Sequence, residues 1–200
     1  MTECHARHWR PLLEAAAKRR TRDRFEVVLA DEAGALFRER FLPQIPPPIL
    51  FRGDSMTMKA AGPLDEMESR SGGEIVRTFE PGVPCWWICS SPGSTRRRKP
   101  ANLDMMGNRA GGIAFGPRHG ALFVGGGKIV PDLPAATTRI RECAAPRDAI
   151  RHGFDTPCAH AGRRADCNSP RRGGNAWSNM EKSFPPGPIR IVLINADLGL

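Results

Sequence analysis

Short apolar runs alternate with amphipathic stretches along this chain. WRPLLEAAAKRR (9–20) predicts a first helix: Pro11 stands early, where a missing N–H costs little, and Leu12, Leu13, Ala16 and Ala17 form one apolar face. FEVVLA (25–30) is a run of strand formers. DEAGALFRERFL (31–42) places acids first and bases last, which suits a helix macrodipole, and Pro43 with Pro46 to Pro48 stops it. ILF (49–51) predicts a second strand. It leads through Arg52-Gly53-Asp54-Ser55 into MTMKAAGPLDEM (56–67), a helix expected to set Met56, Ala60, Leu64 and Met67 on one face, with Gly62 and Pro63 weakening its middle. EIVRTF (74–79), WWICS (86–90), IAF (113–115) and ALFVG (121–125) are further strand candidates. PDLPAATTRIRECAA (131–145) predicts a helix capped by Asp132 with Pro134 in its first turn, and PRDAIRH (146–152) extends it. A cysteine-bearing loop (153–175) follows, and WSNMEK and IRIVLIN close the pattern as two strands. Strand–helix alternation of this kind implies an α/β fold: a mostly parallel, twisted sheet with helices on both faces.

Length and composition narrow the picture. Two hundred residues fit one domain, with a helical segment over 1–24 preceding an α/β domain over 25–200. No apolar run approaches the roughly 20 residues of a membrane span, so no membrane partner is expected. MTECHARHWR lacks the apolar stretch of a secretion signal. A cytoplasmic location is the expectation, and there the six cysteines are thiols or metal ligands sooner than disulfides. The net charge is +9, and outside Lys18, Lys59, Lys99, Lys128 and Lys182 every basic residue is arginine. The arginine clusters sit in separate segments with no interleaved aromatic platform, so they read as solvated faces and not as a nucleic-acid surface.

Four places could carry chemistry. Gly53-Asp54-Ser55-Met56-Thr57 is a glycine-bearing turn from strand to helix; backbone N–H groups and the hydroxyls of Ser55 and Thr57 could hold an anion there, or Asp54 and Ser55 could simply cap the helix. Asn102-Leu103-Asp104-Met105-Met106-Gly107-Asn108-Arg109 packs polar groups between apolar ones just before an expected strand. Arg109 has the planar fork for a carboxylate or phosphate, unless it faces solvent beside a turn at Asn108. Gly125-Gly126-Gly127-Lys128 follows a strand but lacks the Walker spacing, which leaves a plain strand connection as the competing reading. Last, Cys158, His160 and Cys167 give three metal-ligand types within ten residues, with no local fourth. Cys85 and Cys89 read as core thiols, and Cys4, His5 and His8 sit near a fraying end.

Taken together, GDSMT (53–57), NLDMMGNR (102–109), IAFGPRH (113–119), KIVPDLPAATTRI (128–140), AAPRDAIR (144–151), TPC (156–158), DCNSP (166–170) and NAWSNMEKSFPPGPIRIVLINADLGL (175–200) resemble, in order and spacing, the LUD-domain family of lactate-utilisation proteins. The resemblance covers most of the chain and is densest from Asn102 onward. It implies a fold related to the sugar-phosphate isomerases and coenzyme A transferases. It also implies a place in bacterial oxidation of L-lactate to pyruvate, beside iron–sulfur partner proteins. It implies a pathway sooner than a reaction. An accessory oxidoreductase component is the leading expectation, an enzyme on a phosphorylated sugar or acyl-CoA the alternative, and a degenerate copy without activity a third.

On this reading the site lies where the GDSMT turn, the LDMMGNR segment and the GGGK turn converge. Ser55 and Thr57 would hold an anionic group, with Gly53 and Asp54 in the same turn. Arg109 would pair with it, Asp104 would orient a polar partner or act as a base, and Gly107, Asn108 and Lys128 would complete the pocket. The family's cysteine loop carries two further cysteines, at the positions of Arg164 and Gly174 here. Cys158 and Cys167 remain, and a fixed positive charge replaces one thiolate, so a metal or iron–sulfur cluster is not expected on this chain. Other departures are a short connection at 80–85 in place of a helical segment, Pro92 with Arg96 and Arg97 before NLDMM, and Ala196 where glutamate is common.

Overall fold

A computed structural model describes residues 4–18, 24–44, 50–52, 56–63, 65, 86–90, 93–95, 99–115, 119–184 and 189–199. Nine strands are seen among these residues: β1 (Glu26–Ala30), β2 (Leu50–Arg52), β3 (Trp86–Ser90), β4 (Gly93–Thr95), β5 (Pro100–Asp104), β6 (His119–Gly125), β7 (Ile129–Val130), β8 (Ala176–Asn179) and β9 (Ile189–Ile194). The helices are α1 (Cys4–Lys18), α2 (Ala33–Leu36, continued by a wider turn over Phe37–Phe41), α3 (Met56–Ala61), α4 (Asn108–Phe115), α5 (Leu133–Arg139, continued over Ile140–Ala144), α6 (Ala145–Arg151) and α7 (Pro157–Ala161).

The main sheet has the order β1-β9-β6-β3-β2, and every pair in it is parallel. Its central strands β6 and β9 are almost wholly buried, as parallel strands covered on both faces must be. Alternation along β9 divides the two faces. Ile191 and Leu193 pack with Leu13 of α1, Phe25 and Val124. Val192 and Ile194 pack with Phe37, Phe41, Met58 and Phe123. Helices thus cover both faces, as the alternation of elements implied. Phe37 meets Phe123 edge-on at 6.1 Å, a favoured aromatic geometry. At the sheet edge Glu26 accepts from Arg40 and from Arg190 at 2.9 and 2.7 Å.

A second, smaller sheet was not foreseen. Its order is β7-β4-β5-β8, with β5 antiparallel to both β4 and β8. β5 reads PANLD, residues poor in strand propensity, and pairing on both edges overrides that preference.

Three sequence expectations are corrected. IAF (113–115) is not a strand but the last turn of α4; Gly107, at φ +79°, turns the chain after β5, and the side chain of Asp104 caps the new helix. Ile113 is apolar because it packs on Leu122. α3 breaks after Ala61 at Gly62, φ +87°, where a weak middle was expected, and Pro63 and Asp65 are helical again; but its buried residues are Thr57 and Met58, whereas Met56 and Ala60 are exposed. Met56 and Ala60 therefore do not form the apolar face expected of them, and Leu64 and Met67 lie outside the described residues. Within 153–175, read as a loop, Pro157–Ala161 forms a short helix ending at Gly162, φ +67°. The predicted cap of α5 is present: Asp132 accepts from the Ala135 N–H at 2.9 Å. EIVRTF (74–79), the short connection at 80–85, and Pro92, Arg96 and Arg97 lie outside the described residues.

Candidate functional site

β5 carries Asp104 to its buried end, where only 3% of the residue reaches solvent. Oδ2 accepts the Ala110 N–H at 2.6 Å, and Arg109 Nη1 stands 3.3 Å from Oδ1. Oδ1 makes no hydrogen bond. Burial pushes the Asp104 carboxyl above its ordinary range; Arg109 and the N–H groups of Ala110 and Arg109 work against that shift without overcoming it. Two residues earlier on the same strand, Asn102 is fully buried, and its Nδ2 reaches Ser178 Oγ at 3.5 Å.

The glycine turn after β6 is a packing junction. A Cβ on Gly126 would lie 2.7 Å from Trp9 Cγ, and one on Gly125 would lie 2.7 Å from the Leu198 carbonyl oxygen. At Gly127 it would run into the Asp197 carboxylate. The three glycines are needed so that α1 and residues 196–198 can close on the turn. Lys128 is carried with them into the interior, 3% exposed, and its Nζ donates to Thr57 Oγ1 at 2.7 Å. Gly199 leaves room for that pair, since a Cβ there would come within 2.6 Å of Nζ.

A cavity of about 80 Å³ opens between these groups and the cysteine loop. Met56, Arg109 and Lys128 line one part of it. Asp148 and Arg151 of α6 with Cys158, Arg164, Cys167 and Arg172 line the other. The structure thus brings Arg109 and Lys128 to one cavity and pairs each with a partner named from the sequence, Asp104 and Thr57. Asp104, Thr57, Gly107 and Asn108 do not line the cavity themselves. Gly53, Asp54 and Ser55 lie outside the described residues.

Sequence reasoning missed the contribution of the cysteine loop to the same cavity. The signal was present in the two neighbouring departures. A Cβ on Gly174 would stand 2.8 Å from Leu103 Cδ2 and 3.0 Å from Arg164 Nε. Arg164 and Arg172 both donate to the Gly174 carbonyl at 3.0 Å. The guanidinium of Arg164 therefore fills the space a side chain at 174 would need. Burial and the neighbouring Arg172 and Arg141 push Arg164 below the usual arginine value. Two thiols fall short of the four donors that a closed zinc site or a cluster takes, and the guanidinium groups around them oppose a cation. No three His, Cys, Asp or Glu residues come together as a metal site among the described residues.

Residues 99–194 match the model of the LUD domain. A crystal structure of a DUF162 family protein from Deinococcus radiodurans aligns with 97% of this chain and 99% of that chain, at 10% identity and a TM-score of 0.43. No curated protein matches the chain.

Proposed function

We infer, for a chain that belongs to the LUD-domain family, an accessory role in lactate utilisation: a component of L-lactate oxidation to pyruvate whose cavity holds a small anion. The observation that carries this reading is the cavity bordered, among the described residues, by Arg109, Lys128, Arg151, Arg164 and Arg172 against one acid, Asp148. Cations gathered around a small, partly enclosed space favour an anionic guest, because the low dielectric there strengthens each contact. Leu103, Ile140, Ala144 and Phe154 on the same walls suit a short carbon chain. The oxidation itself would fall to iron–sulfur partner proteins in the cytoplasm, with this chain holding substrate or product. Among the described residues no helix is long and apolar enough to cross a membrane.

Thermal denaturation with graded ligands tests the proposal. L-lactate or pyruvate should raise the midpoint, since a ligand at 100 times its Kd stabilises by about 2.7 kcal/mol. Stabilisation by coenzyme A esters or sugar phosphates, with none by lactate or pyruvate, would overturn it in favour of an enzyme on those substrates.

A further inference from the structure

The cationic groups around the cavity are not equivalent. Arg109 faces Asp104 at 3.3 Å, Arg151 faces Asp148 at 2.8 Å, and Arg172 faces Asp166 at 2.5 Å. Lys128 donates to Thr57. Arg164 differs: its Nη2 donates to the Gly174 carbonyl, and among the described residues it forms no ion pair with any carboxylate. Asp166, the carboxylate whose charge acts on it, is bonded to Arg172. Arg172 and Arg141 add two more positive charges nearby. A partly buried guanidinium crowded by its own kind, and feeling only at a distance a carboxylate already bonded to Arg172, is an unfinished ion pair, and it lines the cavity.

We propose that Arg164 is an anion-binding residue of this cavity and that its ligand is the carboxylate of a short aliphatic acid, bound along the wall that carries Cys158 and Cys167. The proposal deepens the anion-pocket reading and rests on it. The Gly174 carbonyl occupies one nitrogen and fixes the plane of the fork, which leaves other N–H groups for a carboxylate edge. Ala144, Ala149 and Ile140 are the apolar groups that would meet the carbon chain, and they disfavour a fully hydrated oxyanion such as phosphate.

The two thiols provide the readout. Iodoacetate, a short carboxylate, and neutral iodoacetamide alkylate the same sulfur: the thiolate forms the C–S bond as the C–I bond breaks and iodide leaves. The rate ratio of the two reagents is measured by mass spectrometry at Cys158 and Cys167, with Cys143, which does not line the cavity, as internal reference. The ratio should be higher at Cys158 or Cys167 than at Cys143 by about tenfold, the order expected of one charge-assisted hydrogen bond. Propionate should slow that labelling. Arg164→Gln should remove the excess, and Arg164→Lys, which keeps the charge without the fork, should retain part of it. Equal ratios at all three cysteines with no propionate protection in the wild type would overturn both the cavity reading and this proposal. Protection that persists unchanged in Arg164→Gln would overturn only the assignment of Arg164. Protection by inorganic phosphate and not by propionate would overturn the carboxylate class.

Discussion

Arg109 holds its guanidinium 3.3 Å from Asp104 Oδ1, yet that oxygen makes no hydrogen bond; the Ala110 N–H is bonded to Oδ2 at 2.6 Å. The carboxylate therefore serves two ends of one structure, capping α4 and facing the arginine that lines the cavity. Burial raises its affinity for a proton above that of an unfolded chain. Its stabilising contribution is then complete below the ordinary carboxyl value of 3.8 and is lost as the pH rises through the higher folded value. Asp104→Asn, neutral throughout, should flatten that part of the pH profile. Urea midpoints of both proteins should lie closest in acid, where both side chains are neutral, and part as the pH rises through the folded carboxyl value, the wild type losing the more. Asp104→Ala, which deletes the cap as well as the charge, should cost about 1–3 kcal/mol at neutral pH.

The Arg164–Gly174 pair should be coupled. Gly174→Ala alone places a methyl against Leu103 and Arg164 and should destabilise the chain by about 1–3 kcal/mol, as overpacking does. Arg164→Ala removes one of the two obstacles, so the double variant should lose less than the sum of the single losses. Equilibrium unfolding of the four proteins in a cycle checks the sign; strict additivity would separate the two positions.

Phe123 lies at the centre of the main sheet, fully buried against Phe37. Phe123→Ala should cost about 3–5 kcal/mol, enough to lower the melting temperature of the whole chain. Calorimetry reads this directly. A small shift would mean that the two aromatic rings do not share one core.

Gly126 is the seat of Trp9. Gly126→Ala should push the indole away and loosen α1, with a loss of about 1–3 kcal/mol and faster amide exchange in residues 4–18 than in β6. Uniform exchange across both elements would argue against this packing contact as what holds α1.

Much of the main sheet was legible in the sequence. FEVVLA, WWICS, ALFVG and IRIVLIN are all parallel strands of it, and ALFVG, buried throughout, shows only apolar positions and glycine because both of its faces are covered. PANLD was not legible, since its strand character comes from neighbours distant in sequence. IAF misled for a related reason: three apolar residues in a row carry no period, and the helix was set by Asp104 and Gly107 outside the run. Of the candidate site, Asp104, Arg109, Thr57 and Lys128 could be named from turns and polar clustering. That Asp104 and Thr57 bind their cationic partners instead of facing the cavity could not be read without geometry. Arg164 was noticed as a departure; its position in the cavity wall depends on α6 and the cysteine loop folding together.

The glycine turn has a kinetic consequence. Trp9 reaches Gly126 and Leu198 reaches Gly125, so the turn gathers segments from the far ends of the sequence. Closing loops this long slows folding, and the Glu26–Arg190 pairing of the main sheet closes a longer one still. Lys128 follows directly on the same turn, so its seat against Thr57 is tied to contacts made across the chain, and a change at Trp9 or Leu198 should be felt in the cavity wall.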